Sequence, residues 1–167
     1  MNVTAKSRLE AVLTQLPFYF FMELACQLII IFTIPTGPSR LTTENALDFS
    51  HPLSLIFIGV IKAPLLEELV FRGALFNVLR FVFGKVVSSF TPQGNSWALY
   101  SAIALSSIAF GLAHQELYFG IFLMHTVFGA FAAHLYYRTG TIFAPIALHM
   151  LNNAMPVSAL LLIEFLK

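Results

Sequence analysis

Residues 53–83 form an apolar stretch whose centre reads Pro64-Leu65-Leu66-Glu67-Glu68-Leu69-Val70-Phe71-Arg72-Gly73, three charges set among aliphatic side chains. Nothing else in the chain constrains its fold as strongly. The sequence is 58% hydrophobic and only 10% charged, whereas a soluble domain carries about 25% charged residues. So few charges cannot cover a water-facing surface, and lipid is the expected solvent. An ionisable side chain at the centre of a membrane span costs at least ~2.5–3.5 kcal/mol on insertion scales. Charges kept at that cost must pair with one another or take part in chemistry.

A span needs roughly 20 apolar residues, and five spans can be laid along the chain. The first covers about residues 11–34 and is closed by Pro35-Thr36-Gly37-Pro38, a cluster of helix breakers. Gln15, Pro17 and Glu23 interrupt it, so one of its faces is expected to pack on protein. Residues 39–50 read as a polar loop. Residues 53–83 would be roughly 45 Å long as one helix, more than the ~30 Å hydrocarbon core, and a single element kinked at Pro64 is expected. Residues 84–96, with Pro92 and Gly94, read as the next loop. Spans three, four and five follow at about 97–114, 118–137 and 141–166, with Arg138-Thr139-Gly140 as the turn before the last. Tyr118, Tyr136 and Tyr137 suit the aromatic belts at the membrane surfaces. The expectation is one all-α membrane domain over residues 1–167, a bundle of about five transmembrane helices around a polar cavity.

Charge bookkeeping supports five spans. With a cytoplasmic N-terminus, Lys6, Arg8, Arg80, Lys85 and Arg138 fall on one side, against Arg40 and Lys167 on the other, as the positive-inside bias requires. The same count sets His114 towards the outer side. The net charge of +1 gives no reason to expect nucleic acid. Cys26 is the single cysteine, so no intramolecular disulfide can form. It reads as a packed, inert thiol. Lys6 and Arg8 precede an apolar run too long for a signal peptide and without a small-residue cleavage site. An uncleaved first span is expected.

Glu68 and Arg72 are four apart, hence on one helical face and able to pair. Glu67 points about 100° away and lacks a local partner, so a histidine from another element is the obvious candidate. His114 ends span three. His149 lies inside span five, and Asn153 four residues on shares its face. Three elements therefore offer polar groups at membrane depth, and such groups are expected to face the bundle interior or a wet cavity.

These residues resemble the motifs of the CAAX-protease and bacteriocin-processing (CPBP, or Abi) family of intramembrane proteases. Glu67-Glu68-x-x-x-Arg72 is similar to its EExxxR motif, Phe110-x-x-x-His114 to its second motif, and His149-x-x-x-Asn153 to its third. The run Arg138-Thr139-Gly140-Thr141-Ile142 resembles the usual approach to the third. The motifs stand in family order, and a core of about residues 52–165 is implied. The resemblance implies peptide-bond hydrolysis in or beside the membrane. Glu67 with His114 would activate a water. His149 and Asn153 would donate to the oxyanion, one such donor being worth roughly 2.7–4 kcal/mol. Glu68 and Arg72 would support them by fixing the direction of Glu67. The same residues allow a metal version in which Glu67, His114 and His149 hold a zinc ion with one open position. The soluble zinc-protease signature HExxH is absent, and the choice between no cofactor and a single divalent metal stays open here.

Plainer readings stand beside these. Glu68 and Arg72 can be a structural ion pair with Glu67 as a third member. His114 can be an interfacial histidine, and His149 with Asn153 an interhelical hydrogen bond. His125 and His134, nine apart and so about 180° apart on a helix, are read as packing or interface residues. Glu116 is read as solvated, and Glu23 has no assigned role. The implied partners are membrane lipid and a peptide or membrane-protein substrate, with a bacterial cytoplasmic membrane as the expected location. Bacteriocin precursors, signalling peptides and membrane proteins are the candidate substrates. A non-catalytic immunity or scaffold protein and a Glu/His proton pathway are the alternatives.

Overall fold

The computed structural model describes residues 5–37, 52–87 and 94–166. They form five helices. Helix α1 is Ala5–Thr33 and carries Pro17 inside it. Helix α2 is one unbroken helical run over residues 52–87. Helices α3 (Gly94–Ala113), α4 (Phe119–Thr139) and α5 (Phe143–Phe165) follow. Within α1, α3, α4 and α5 the segments Ser7–Thr33, Ser96–Ala113, Phe119–Thr139 and Phe143–Phe165 are long and apolar enough to cross a membrane. The chain is a multi-pass integral membrane protein, with large apolar side chains such as Phe32, Trp97 and Phe165 exposed on its outer surface.

Two expected boundaries shift. The predicted loop over residues 84–96 is shorter than composition suggested, because α2 runs on to Val87 and α3 already begins at Gly94. The predicted loop over residues 39–50 lies outside the described residues. Helix α2 is a single element, as expected, but its irregularity is a change of register. It passes through π-helical turns at Phe57–Lys62 and Leu69–Phe76, on either side of the α-helical Ala63–Glu68. In the first of these the Ala63 N–H donates to the Ile58 carbonyl, five residues back. The same register would pair the Gly59 carbonyl with Pro64, which has no N–H to give. That carbonyl is met from outside by Asn153 Nδ2 of α5, at 2.9 Å. The second π turn follows Glu68 directly, and the Asn77 amide takes up the carbonyls of Arg72 and Gly73 at 3.0 and 2.9 Å. Such insertions reorient side chains on a helix and are frequent at functional sites.

Helix α4 is the hub, packed against α1, α3, α5 and the second π turn of α2. Its contact with α3 is close because Gly129 faces Ser107: a Cβ there would lie 3.0 Å from the Ser107 Cα. Small residues of this kind let membrane helices approach in the absence of a hydrophobic driving force. A buried layer of Phe110, Phe128, Ala132, Leu135, Ala144 and Leu148 joins α3, α4 and α5, and Tyr19 of α1 completes it. Tyr19 also shares a 2.7 Å hydrogen bond with His134 Nδ1, which ties α1 to α4. Helix α4 stops at Gly140, whose φ of 64° is the left-handed cap that releases the chain into α5.

Candidate active site

Glu67 and Glu68 end the α-helical turn between the two π segments, and α5 faces them across the bundle. His149 Nδ1 lies 2.9 Å from Glu68 Oε1, and His149 Nε2 lies 3.8 Å from Glu67 Oε2. One imidazole therefore meets both glutamates, one at each ring nitrogen. Glu68 is fully buried and its Oε1 also accepts from Arg72 Nη1 at 3.0 Å. Arg72 in turn donates through Nη2 to the Gly129 carbonyl at 3.1 Å and lies over the Phe110 ring at 4.5 Å. The pairing of Glu68 with Arg72 is as spacing suggested. Its target differs: Glu68 orients His149 rather than Glu67.

His114 is the first residue past α3. Its Nδ1 is 2.8 Å from the Phe110 carbonyl and its Nε2 is 3.9 Å from Glu67 Oε2. A carbonyl only accepts, so the Nδ1 of His114 carries the proton, and a carboxylate fixes His149 in the same way. In the neutral tautomers both Nε2 atoms then present lone pairs towards Glu67 Oε2. Three acceptors converge with no donor among them. The Glu67 side chain is 32% exposed, yet its Oε2 is buried and without a hydrogen-bond partner. Glu23 Oε2, Glu68 Oε2 and Arg72 Nε are orphaned too. Glu68 and Arg72 neutralise each other, and Glu23 accepts from Gln27 Nε2 through its other oxygen. At Glu67 the missing donor is one that a water with its two protons would supply at hydrogen-bond distance.

Asn153 is on the same side of α5 as His149, but its amide is engaged by the Gly59 carbonyl. One N–H remains to it. Asn152, its neighbour, turns the other way and accepts from Gln27 Nε2 of α1 at 3.2 Å. Glu23, unassigned from sequence, thus belongs to a buried string with Gln27 and Asn152. Cys26 is half-buried and carries a free thiol.

Two further residues, Glu116 and His125, lie close to His114. The Glu116 side chain is only 3% exposed and lies 3.7 Å from His125 Nε2. It is not solvated as expected; Gln115, between it and His114, has a φ of 51°. His125, expected to be a packing or interface residue, packs its ring flat on His114 at 3.8 Å and 16°. No spacing rule links positions on two different helices, so only the fold could bring them together.

Two imidazoles and a carboxylate are the donor types of a His₂Glu zinc set. Bonds of 2.0–2.2 Å would set ligand atoms about 3.3–3.6 Å apart in a tetrahedral shell, and the two Glu67-to-histidine separations are longer, at 3.8 and 3.9 Å. Among the described residues no group of three or more His, Cys, Asp or Glu is arranged to hold a metal ion. The residues as arranged do not fit zinc.

With the site assembled, comparison with known proteins decides its kinship. The profile of the type II CAAX prenyl endopeptidase Rce1-like family matches residues 49–155, which include all three polar clusters. The chain belongs to the Rce1-like family. The Bacillus subtilis protein named "Putative membrane peptidase YdiL" is 30% identical over 126 residues, covering 72% of this Rce1-like chain and 43% of that protein. The chain therefore spans under half the length of that relative. No solved structure matches it. Helix α1 lies outside the Rce1-like match, yet Gln27, which donates to Glu23, also donates to Asn152 on the helix that carries His149.

Proposed function

We propose that the chain is an intramembrane endopeptidase that hydrolyses a peptide bond of a membrane-associated peptide or protein, by a metal-free route. The observation that carries this reading is the buried, partnerless Glu67 Oε2 facing His114 Nε2 and His149 Nε2 at 3.9 and 3.8 Å. A water held there donates one proton towards Glu67 and turns a lone pair to the substrate carbonyl. As the water oxygen bonds to the carbonyl carbon, its proton passes to Glu67, with His114 holding the water in line. The carbonyl electron pair moves onto oxygen. That oxyanion accepts from the second N–H of Asn153 Nδ2. Glu68, hydrogen-bonded at Nδ1, holds His149 in the tautomer whose Nε2 lone pair faces the water beside His114. Collapse of the intermediate breaks the C–N bond, and the proton on Glu67 leaves with the amine.

Family membership supports an endopeptidase, and the bilayer supports a substrate that arrives through lipid. Against a proton pathway, Glu67, Glu68, His114 and His149 meet around one point instead of forming a string across the bundle. The arginines at one end, with Arg80 lying over the Tyr137 ring at 4.9 Å, favour that end as cytoplasmic in a bacterial membrane. The test is cleavage of an internally quenched peptide library by the purified full chain, beside its Glu67→Ala variant. The parent is expected to cleave a subset that the variant leaves intact. Equal cleavage by both, or none by a folded parent in lipid, would reject the proposal.

A further inference from the structure

The two histidines of the site are secured to different degrees. His149 sits within α5, 5% exposed, with Nδ1 on Glu68 and the Phe128 ring 4.6 Å away. His114 stands past the end of α3, 20% exposed, and a hydrogen bond from Nδ1 to the Phe110 carbonyl ties it. One bond fixes a point on the ring and leaves its plane free to swing. Phe110 packs against the ring at a tilt of 55°, 4.6 Å away. His125 of α4 lies parallel to His114 within 16°, at 3.8 Å, and covers its face.

A carboxylate lies close to His125. Glu116, two residues beyond His114 on the same turn, sets Oε1 3.7 Å from His125 Nε2 with its side chain 3% exposed. Gln115, between Glu116 and His114, has a positive φ. The segment after α3 and the middle of α4 thus meet twice, in a ring stack and in a 3.7 Å approach of carboxylate to imidazole, on either side of a non-helical turn.

We propose that His125, stacked on His114, is a positioning residue that fixes the ring plane of His114 and so aims Nε2 at the Glu67 carboxylate. The proposal rests on the reading of His114 as part of the water-activating site, and it deepens that reading. His125 touches neither substrate nor water; it acts through His114. A flat apolar ring should replace it, because the face does the work, whereas a non-planar side chain of similar bulk should not.

The experiment compares the detergent-solubilised full chain with His125→Phe, His125→Leu and His125→Ala. The first readout needs no substrate: the rate at which diethyl pyrocarbonate modifies His114, followed by mass spectrometry. It is expected to stay at the parent value in His125→Phe and to rise several-fold in His125→Leu and His125→Ala. The second readout is kinetic, on a peptide from the library that the parent cleaves. His125→Leu is expected to lower kcat by about 10²-fold, the scale of a misplaced catalytic group, with KM unchanged and His125→Phe near the parent. If His125→Ala does not fold, the leucine and phenylalanine variants carry the comparison. His114 modified at one rate in His125→Phe and His125→Leu, or kcat lost equally in both, would overturn the proposal. Should Glu67→Gln cleave as fast as the parent, the protease reading fails instead, and the labelling rates still judge the role of His125.

Discussion

Glu67 and Glu68 are neighbours in the chain with the same side chain, and the fold treats them in opposite ways. Glu68 is wholly buried and bonded at one oxygen to Arg72 and His149. Glu67 is one-third exposed, and its inward oxygen has two imidazole nitrogens near it and no bond to either. One carboxylate has an oxygen held by two fixed partners, while the other has none on its inward oxygen, beside an opening. A buried ion pair is weak evidence for stability, because desolvation offsets its attraction; what this pair provides is the fixed orientation of His149. An unpaired carboxylate in lipid has no such structural benefit. The difference marks where structure ends and chemistry begins.

The comparison breaks most visibly if the two glutamates are exchanged in role. Glu67→Gln is expected to lower kcat by about 10²–10⁴-fold, the worth of a general base, with the thermal midpoint close to the parent's. Glu68→Gln, or Arg72→Leu, is expected to act mainly on folding, at about 3–5 kcal/mol for stranding one member of a buried pair. Replacing both with leucine should cost less stability than either alone. A denaturation series in detergent reads both, and a Glu67→Gln protein as unstable as Glu68→Gln would erase the distinction.

A smaller effect separates two roles of Asn153. As an oxyanion donor its loss in Asn153→Ala should cost about 10²-fold in kcat. As the partner of the Gly59 carbonyl its loss should be repaired by Pro64→Ala, which restores a backbone N–H to that register. The proposed mechanism expects the double variant to regain stability and not activity. Full recovery of kcat would assign Asn153 to α2 alone. Smallest of all is the effect of a chelator: cleavage should be unchanged, and loss of activity restored by added zinc would return the metal version.

Much of this was legible before any coordinates. Few charges and five apolar runs dictate a membrane bundle, and the cost of Glu67, Glu68 and Arg72 in lipid points to a polar centre. The spacing of Glu68 and Arg72 foretold their pairing. The family motifs named His114, His149 and Asn153, three of the residues now seen around α2. What stayed hidden depends on register and on turns. Pro64 suggested a kink, but whether a helix answers a missing N–H by bending or by a π insertion depends on who can meet the orphaned carbonyl, here Asn153 from a distant segment. The division of Asn152 towards α1 and Asn153 towards α2 follows from that. Burial of Glu116 accompanies one positive φ at Gln115, a residue type with no strong preference for it. The stack of His125 on His114 follows from that turn and from the close packing of α3 on α4 at Gly129.

The central claim is that Glu67, His114 and His149 share a water, and the most direct measurement is an experimental structure of the chain in lipid at a resolution that resolves solvent. The account predicts one ordered water within about 3 Å of Glu67 Oε2 and in reach of the His114 Nε2. A carboxylate bonded directly to either imidazole, with no solvent between them, would contradict it.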